Sequence, residues 1–214
     1  MSASKETSLP PRRDAFAHTL QTLRHRLRQG VDAPGAPLPI NGIASELRLS
    51  PTPVREALSR LAGEGLIDKA GPNYLRPKLD GPTLSELYAL RLIYLEAAQG
   101  LAARLKARAT AASSVENLDL SAETLFARLV GRSADQTLLA AYQRCADQLA
   151  PFWAVEVEIV DDGIEDIARL AEAEGASDTG QLKVLLRRYH RRRIAAAALI
   201  VREASDPKYR TPMI

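Results

Sequence analysis

The run Ser50-Pro-Thr-Pro-Val-Arg-Glu-Ala-Leu-Ser-Arg-Leu places small hydroxyls, a carboxylate and two guanidinium groups around an apolar stripe. Val54, Leu58 and Leu61 recur at i, i+4 and i+7 with Ala57 beside them, which marks one face for burial. The opposite face carries Thr52, Glu56, Ser59 and Gly63, with Arg55 and Arg60 on its flanks. Short hydroxyls and carboxylates can approach base edges, and guanidinium groups reach phosphate or guanine. The free N–H groups of a helix N-terminus would add a phosphate contact. A second cluster, Arg187, Arg188, Arg191, Arg192 and Arg193, surrounds Tyr189 and His190. Helical spacing puts Arg188 and Arg192 on one face and Arg187 and Arg191 on the next. Such a pair either clamps a carboxylate or phosphate or forms salt bridges with the acidic run Glu156 to Asp166. On the clamp reading, Arg188, Tyr189, His190 and Arg192 are the candidate effector contacts.

Other chemistries find little support. Cys145, the single cysteine, excludes a disulfide framework and a cysteine-based zinc site; it reads as a packed small residue or a redox sensor. The chain has no Gly-rich phosphate loop, no GxSxG elbow and no HExxH, so no catalytic residue is assigned and the protein is not expected to be an enzyme. Trp153, Phe152 and Tyr142 suit a core, and equally a pocket inside a helical bundle. His18 reads as solvent-facing or structural.

These groups need elements to position them. The 214 residues are 46% hydrophobic and only 5% aromatic, rich in Ala, Leu and Arg, which favours helices over sandwiches. Formal charge is +3 overall, but residues 1–80 hold 12 Lys/Arg against 8 Asp/Glu. That basic end suits a polyanion, or is ordinary solvated charge. No stretch approaches a membrane span, and the first residues lack the apolar core of a secretory signal, so a cytoplasmic location is expected.

Residues 1–12 read as a disordered arm with Pro10-Pro11. A helix runs from an Asp14 cap to about Gly30, followed by a loop at 31–39 with three prolines. A second helix spans Ile40 to Arg48. A third starts at Pro51, with Ser50 as N-cap, and closes at Gly65. Leu66–Lys69 and Tyr74–Pro77 flank Ala70-Gly-Pro-Asn as a hairpin. Lys78 to Thr83 reads as a linker. Helices are then expected at 83–108, 120–131, 134–160, 163–174 and 178–204.

Helix, helix, tight turn, helix and hairpin is the order of a winged helix-turn-helix. Ser50-Pro-Thr-Pro-Val-Arg-Glu-Ala-Leu, then Arg60-Leu and Glu64-Gly-Leu-Ile, resembles the DNA-binding signature of the GntR family of bacterial transcription regulators. The match runs over roughly residues 14–78. Leu84-Ser-Glu-Leu-Tyr-Ala-Leu-Arg, then Leu95-Glu, is similar to the opening of the ligand-sensing domain in that family's FadR-type branch. The resemblance implies DNA contacts from Thr52 and Arg55 and from the wing tip at Gly71-Pro72-Asn73. It departs from many members at Pro51, where they carry Arg, and in its shorter, stiffer wing tip.

FadR-type domains commonly hold a divalent metal through one Asp and three His. Here His190 resembles the last of these and Glu123 could stand for the Asp. Ala127 replaces a histidine, and none occurs in 161–175. The metal site is therefore read as degenerate, and no metal or other cofactor is expected.

The expected architecture is mainly α: a winged helix-turn-helix over residues 1–79, then an all-helical ligand-sensing and dimerisation bundle over 83–214. The function it implies is binding of a pseudo-palindromic operator in double-stranded DNA by a homodimer, modulated by a small effector such as a carboxylate, with no membrane role. The DNA contacts are assigned to Ser50, Thr52, Arg55, Ser59, Arg60, Gly71 and Asn73. The competing classes are a winged-helix module for protein contacts and an unusual carboxylate enzyme; steep loss of duplex affinity with salt separates the first from a DNA binder.

Overall fold

A computed structural model describes residues 12–105, 121–160 and 163–209. The Pro10-Pro11 arm, the Asp14 side chain and the stretch between the helices expected at 83–108 and 120–131 lie outside what is described. The chain divides into two compact units: one reaches to Leu27 and resumes from Val31 to Pro77, the other takes Arg28–Gly30 and everything from Lys78. Among the described residues no helix is long and apolar enough to cross a membrane.

The first unit is built on three helices, α1 (Arg12–Arg28), α2 (Ile40–Glu46) and α3 (Pro51–Gly63), followed by a hairpin of β1 (Asp68–Ala70) and β2 (Asn73–Leu75). Leu23 and Leu27 of α1, Ile43 and Ala44 of α2, and Val54, Ala57, Leu58 and Leu61 of α3 meet in one core with Leu66, Ile67 and Tyr74. The stripe read from the sequence is buried completely: Val54, Ala57 and Leu61 are 0% exposed and Leu58 1%. Gly65 ends α3 at φ +74°, while the Leu66 N–H reaches back to the Leu61 carbonyl at 3.0 Å. That bond and the left-handed glycine make a Schellman stop. Gly71 has φ +61° and Pro72 is fixed by its ring to negative φ, the sign pattern of a type II′ hairpin turn.

The proline-rich segment 31–39 is more than a loop. Pro37 bridges Leu75 antiparallel, and the Leu38 N–H donates to the Tyr74 carbonyl at 2.8 Å. The segment thus lies along β2 as a short third edge. Prolines are confined to such edges because they cannot donate to an inner ladder.

The second unit is a helical bundle. It comprises α4 (Gly81–Leu105), α5 (Ala122–Gly131), α6 (Gln136–Leu149), α7 (Trp153–Val160), α8 (Gly163–Gly175) and α9 (Thr179–Glu203). The two long helices α4 and α9 pack against each other, and α4 also carries α5 and α6 while α9 carries α7 and α8.

Two departures from the sequence reading have a plain physical cause. The linker ends three residues early, because Gly81-Pro82-Thr83 is the first turn of α4. Asp80 caps it, its Oδ1 accepting from the Thr83 N–H at 2.9 Å. Gly81 serves close packing: a Cβ there would stand 2.9 Å from Cα of Ala198 on α9. The single helix expected over 134–160 is broken by a 3₁₀ turn at Ala150–Phe152, where Pro151 lacks the N–H needed to continue an α-helix.

Candidate nucleic-acid interface and buried arginines

The turn between α2 and α3 shapes the first candidate site. The Leu49 N–H donates to the Ala44 carbonyl at 2.9 Å and the Arg48 N–H to Ser45 at 3.2 Å, closing α2 in a Schellman motif. Its left-handed residue is Arg48, at φ +55°. Glycine is the usual occupant of this geometry, and a side chain there carries strain. Arg48 is exposed, so nothing in the core requires it.

Ser50 follows in extended conformation at the N-cap of α3, but its hydroxyl makes no capping bond. The reason is local. An N-cap oxygen accepts from the second or third helical N–H, and the third residue is Pro53. With Pro51 and Pro53 both lacking N–H, Thr52 retains the one open amide of the first turn, beside its own hydroxyl. The expectation of several free N–H groups for a phosphate is corrected accordingly.

The remaining predicted contacts face solvent. Ser50, Thr52, Arg55, Glu56, Ser59 and Arg60 are exposed on α3 or at its start, and Gly71 and Asn73 are exposed on the hairpin. Their electrostatic states differ. Arg60 is tied to Glu64 at 2.7 Å within the helix, and Glu64 also takes Arg24 of α1 at 2.6 Å. Arg26 is shared between Asp32 at 2.8 Å and Glu46 at 2.7 Å. Arg48 and Arg55 have no ion pair among the described residues. The unit therefore uses α1 arginines to brace itself and leaves guanidinium groups open at the turn and on the recognition face.

The helical unit treats its arginines differently. Arg187 pairs with Glu96 at 2.6 Å. Arg192 pairs with Asp166 at 2.8 Å and donates to the Val160 carbonyl at 2.7 Å, while Arg188 stands 3.9 Å from the same Asp166. Arg193, 3% exposed, donates through Nε to Glu156 at 2.6 Å, and the second Glu156 oxygen accepts from the Tyr88 hydroxyl at 2.6 Å. Arg188 and Arg192 both face Asp166 and Arg193 pairs with Glu156, the salt-bridge arrangement with the acidic run, whereas Arg187 pairs with Glu96 outside it. His18 and His25 are exposed on α1.

His190 is fully buried and committed at both nitrogens. Nδ1 lies 2.7 Å from the Leu186 carbonyl, and Nε2 lies 3.1 Å from Nε of Arg91. Since Arg91 can only donate, Nε2 accepts and Nδ1 carries the proton. Burial, reinforced by the Arg91 charge, holds the ring well below the usual histidine range, so it stays neutral. Cys145 is buried and its Sγ sits 3.4 Å from the Leu87 carbonyl. Burial pushes its thiol up to about 11, which favours the packed reading over a redox role. Among the described residues no three His, Cys, Asp or Glu side chains come together as metal donors.

A cavity of about 30 Å³ opens between α4, α5, α6, α7 and α9. Arg91, Phe126, Tyr142, Leu149, Trp153 and Tyr189 contribute to its wall. Of the four predicted effector residues, only Tyr189 is there. Arg91 and Tyr142 were not on that list. The signal for Arg91 was nevertheless present. Leu84, Tyr88, Arg91, Leu95 and Ala98 step by four and three along α4, and all five are buried. An arginine in the middle of a buried apolar stripe marks a place where charge is kept inside for a purpose.

Residues 17–70 match the family model described as bacterial regulatory proteins, gntR family. In three dimensions the chain is similar to McbR/YncC of E. coli, with a TM-score of 0.67 at 20% identity over 86% of this chain and 97% of that one. It is also similar to a structure described as a GntR transcriptional regulator from Rhodococcus sp. RHA1, with a TM-score of 0.53 at 19% identity over 88% and 98% of the two chains. At these identities the likeness is one of fold. No curated protein matches the sequence significantly.

Proposed function

We propose that this chain, whose residues 17–70 match the gntR family model, is a GntR-type transcription regulator that binds a pseudo-palindromic operator as a homodimer. In this reading α3 lies in the major groove of each half-site, about one helical turn of DNA apart. Thr52, Arg55 and Ser59 read base edges from its exposed face. Ser50, Arg60 and the wing residues Gly71 and Asn73 position the backbone. The observation that carries the reading is the division of α3 into a fully buried stripe and an exposed face on which Arg55 has no ion pair among the described residues. An exposed cation held ready beside short hydroxyls suits phosphate and base contact.

The helical unit is read as a FadR-type effector and dimerisation domain, and the site of action as cytoplasmic. A divalent metal does not fit its residues. His190 spends both ring nitrogens on Arg91 and Leu186, and a metal at Nε2 would have to displace a guanidinium beside it. No step is assigned to a metal. An effector acts instead by changing the spacing of the two DNA-binding heads, which alters operator affinity.

The test is selection of bound duplexes from a random pool, followed by titration of the winner against salt. A palindromic consensus whose affinity falls steeply with salt supports the proposal. Failure to enrich any duplex overturns it.

A further inference from the structure

A helix on the outside of a bundle needs one apolar stripe, and α4 has two. Leu84, Tyr88, Leu95 and Ala98 lie on the buried one. On the opposite side Leu90, Ile93, Ala97 and Gly100 are exposed, Leu90 at 37% and Ile93 at 59%. Steps of three and four keep these residues within one narrow strip of the helix surface. The outer faces of α6 and α8 are different: Gln143 and Arg144 are exposed on α6, and Glu165, Arg169 and Glu172 on α8. From Leu87 to Ala103 no exposed residue of α4 carries a charge. Arg91 is buried there, and Glu96 is half-buried and held by Arg187. A helix apolar on both sides is built to be covered on both.

Gly100 is an independent sign. It stands in the interior of α4, where glycine weakens a helix relative to alanine. A Cβ there would meet no atom within 4 Å, whereas one on Gly81 would strike Ala198. The gap at Gly100 therefore serves no neighbour within the described fold. The strip is also graded in size, with the large Leu90 and Ile93 first and the small Ala97 and Gly100 after them. Opposite charges close its ends. Glu86 is exposed at one and Arg104 at the other, and neither has an ion pair among the described residues.

We propose that this strip is a self-complementary seam on which α4 of a second copy of the chain docks antiparallel. A two-fold axis crossing the helix near residue 95 sets Ile93 against Ala97 of the second copy, Leu90 against its Gly100 and Glu86 against its Arg104. Each large side chain then enters the gap left by a small one, and an ion pair closes each end. A parallel pairing would set Glu86 against Glu86, Arg104 against Arg104 and Leu90 against Leu90, and leave the two glycines facing a void. A patch that serves both subunits alike is the isologous interface of a two-fold dimer, and its small residues let the helix axes approach to about 8 Å. The seam rests on the homodimer reading and assigns the surface that makes the dimer.

The experiment is sedimentation velocity on the full-length protein across a range of concentrations, with circular dichroism and thermal midpoint in parallel. The native chain should be a dimer. Ile93→Glu should raise the dissociation constant about thirtyfold or more and keep the helical dichroism, since residue 93 is exposed in the single chain. Glu86→Arg and Arg104→Glu should each weaken the dimer about fivefold by setting like charges together, and the two combined should restore it. If Ile93→Glu does not fold, the charge reversals alone decide, because Glu86 and Arg104 lie in solvent. A dimer that Ile93→Glu leaves unchanged overturns the seam and places the homodimer on another surface. So does a variant that stays dimeric with a lowered thermal midpoint, which would mean that its own chain covers the strip. Single reversals without effect, or a pair that fails to restore assembly, overturn the antiparallel register and the proposal with it. A native chain that stays monomeric overturns both the seam and the homodimer reading.

Discussion

Arginine serves opposite ends in the two units. On α3, Arg55 is exposed and has no ion pair among the described residues, where a lone guanidinium costs little. In the bundle, Arg193 and Arg91 lie within the protein, where a lone guanidinium is expensive. Arg193 meets that cost with Glu156, and Arg91 with a neutral imidazole, aromatic faces and a cavity. The contrast separates a charge left in solvent from charges enclosed among helices. It also fixes what each substitution should disturb.

The largest effect is expected inside the bundle. Glu156→Gln would leave Arg193 buried without its counter-charge and weaken the Tyr88 hydrogen bond. Breaking a buried pair from one side costs about 3–5 kcal/mol. Denaturant unfolding followed at Trp153 should therefore shift strongly to lower midpoint. A shift within experimental error would mean that water reaches Arg193 and that the contrast between units is false.

Arg55→Ala tests the other side. It removes an exposed group with no ion pair among the described residues, so the unfolding midpoint should stay put. Operator affinity should fall by about 1–3 kcal/mol if the side chain reads a base. Equal losses of stability and affinity would show that Arg55 is structural, which the comparison forbids.

The head was the more legible unit, and the reason is physical. Its core is a single amphipathic stripe, and Pro51 and Gly65 punctuate α3 by local chemistry alone. What escaped there depended on partners distant in sequence: Pro37 found an edge on Leu75, and Arg24 of α1 found Glu64. The bundle was harder. Its helices were visible by periodicity, but Pro151 stood inside a run apolar enough to read as continuous. Five arginines around His190 drew attention to charge density along α9. The informative residue was one arginine on α4 with too few partners, and lack of a partner is invisible until the other helices are in place.

Acid should act on the bundle through His190. Burial and the Arg91 charge depress its pKa in the folded state, with Arg193 adding to the effect. Below the ordinary value of 6.5 the unfolded chain takes up a proton that the folded chain refuses, so stability falls with falling pH. The loss should be roughly 1 kcal/mol per pH unit from pH 6.5 downward, with no change above it. Denaturant midpoints at Trp153 between pH 7.5 and 5.5 measure it. His190→Gln should flatten the profile; an equally steep profile in that variant would assign the dependence to another group.

The smallest effect, and the most discriminating, belongs to Arg48. Its φ of +55° sits in the turn between α2 and α3, where glycine would be unstrained. Arg48→Gly relieves that strain but loosens the unfolded chain, for a net gain of about 0.5–1 kcal/mol. Slower amide exchange at Leu49 and along α3 would register the gain. A strained residue earns an explanation when its side chain does something glycine cannot. Here that would be a phosphate contact at the mouth of the recognition helix, lost in the same variant. Duplex affinity should drop, and the slope of log affinity against log salt should shrink by about one. Stability and binding would then move in opposite directions from a single substitution. If the slope is unchanged, the strain at Arg48 does not serve DNA, and the exposed charges of the head divide differently from the way Arg55 suggests.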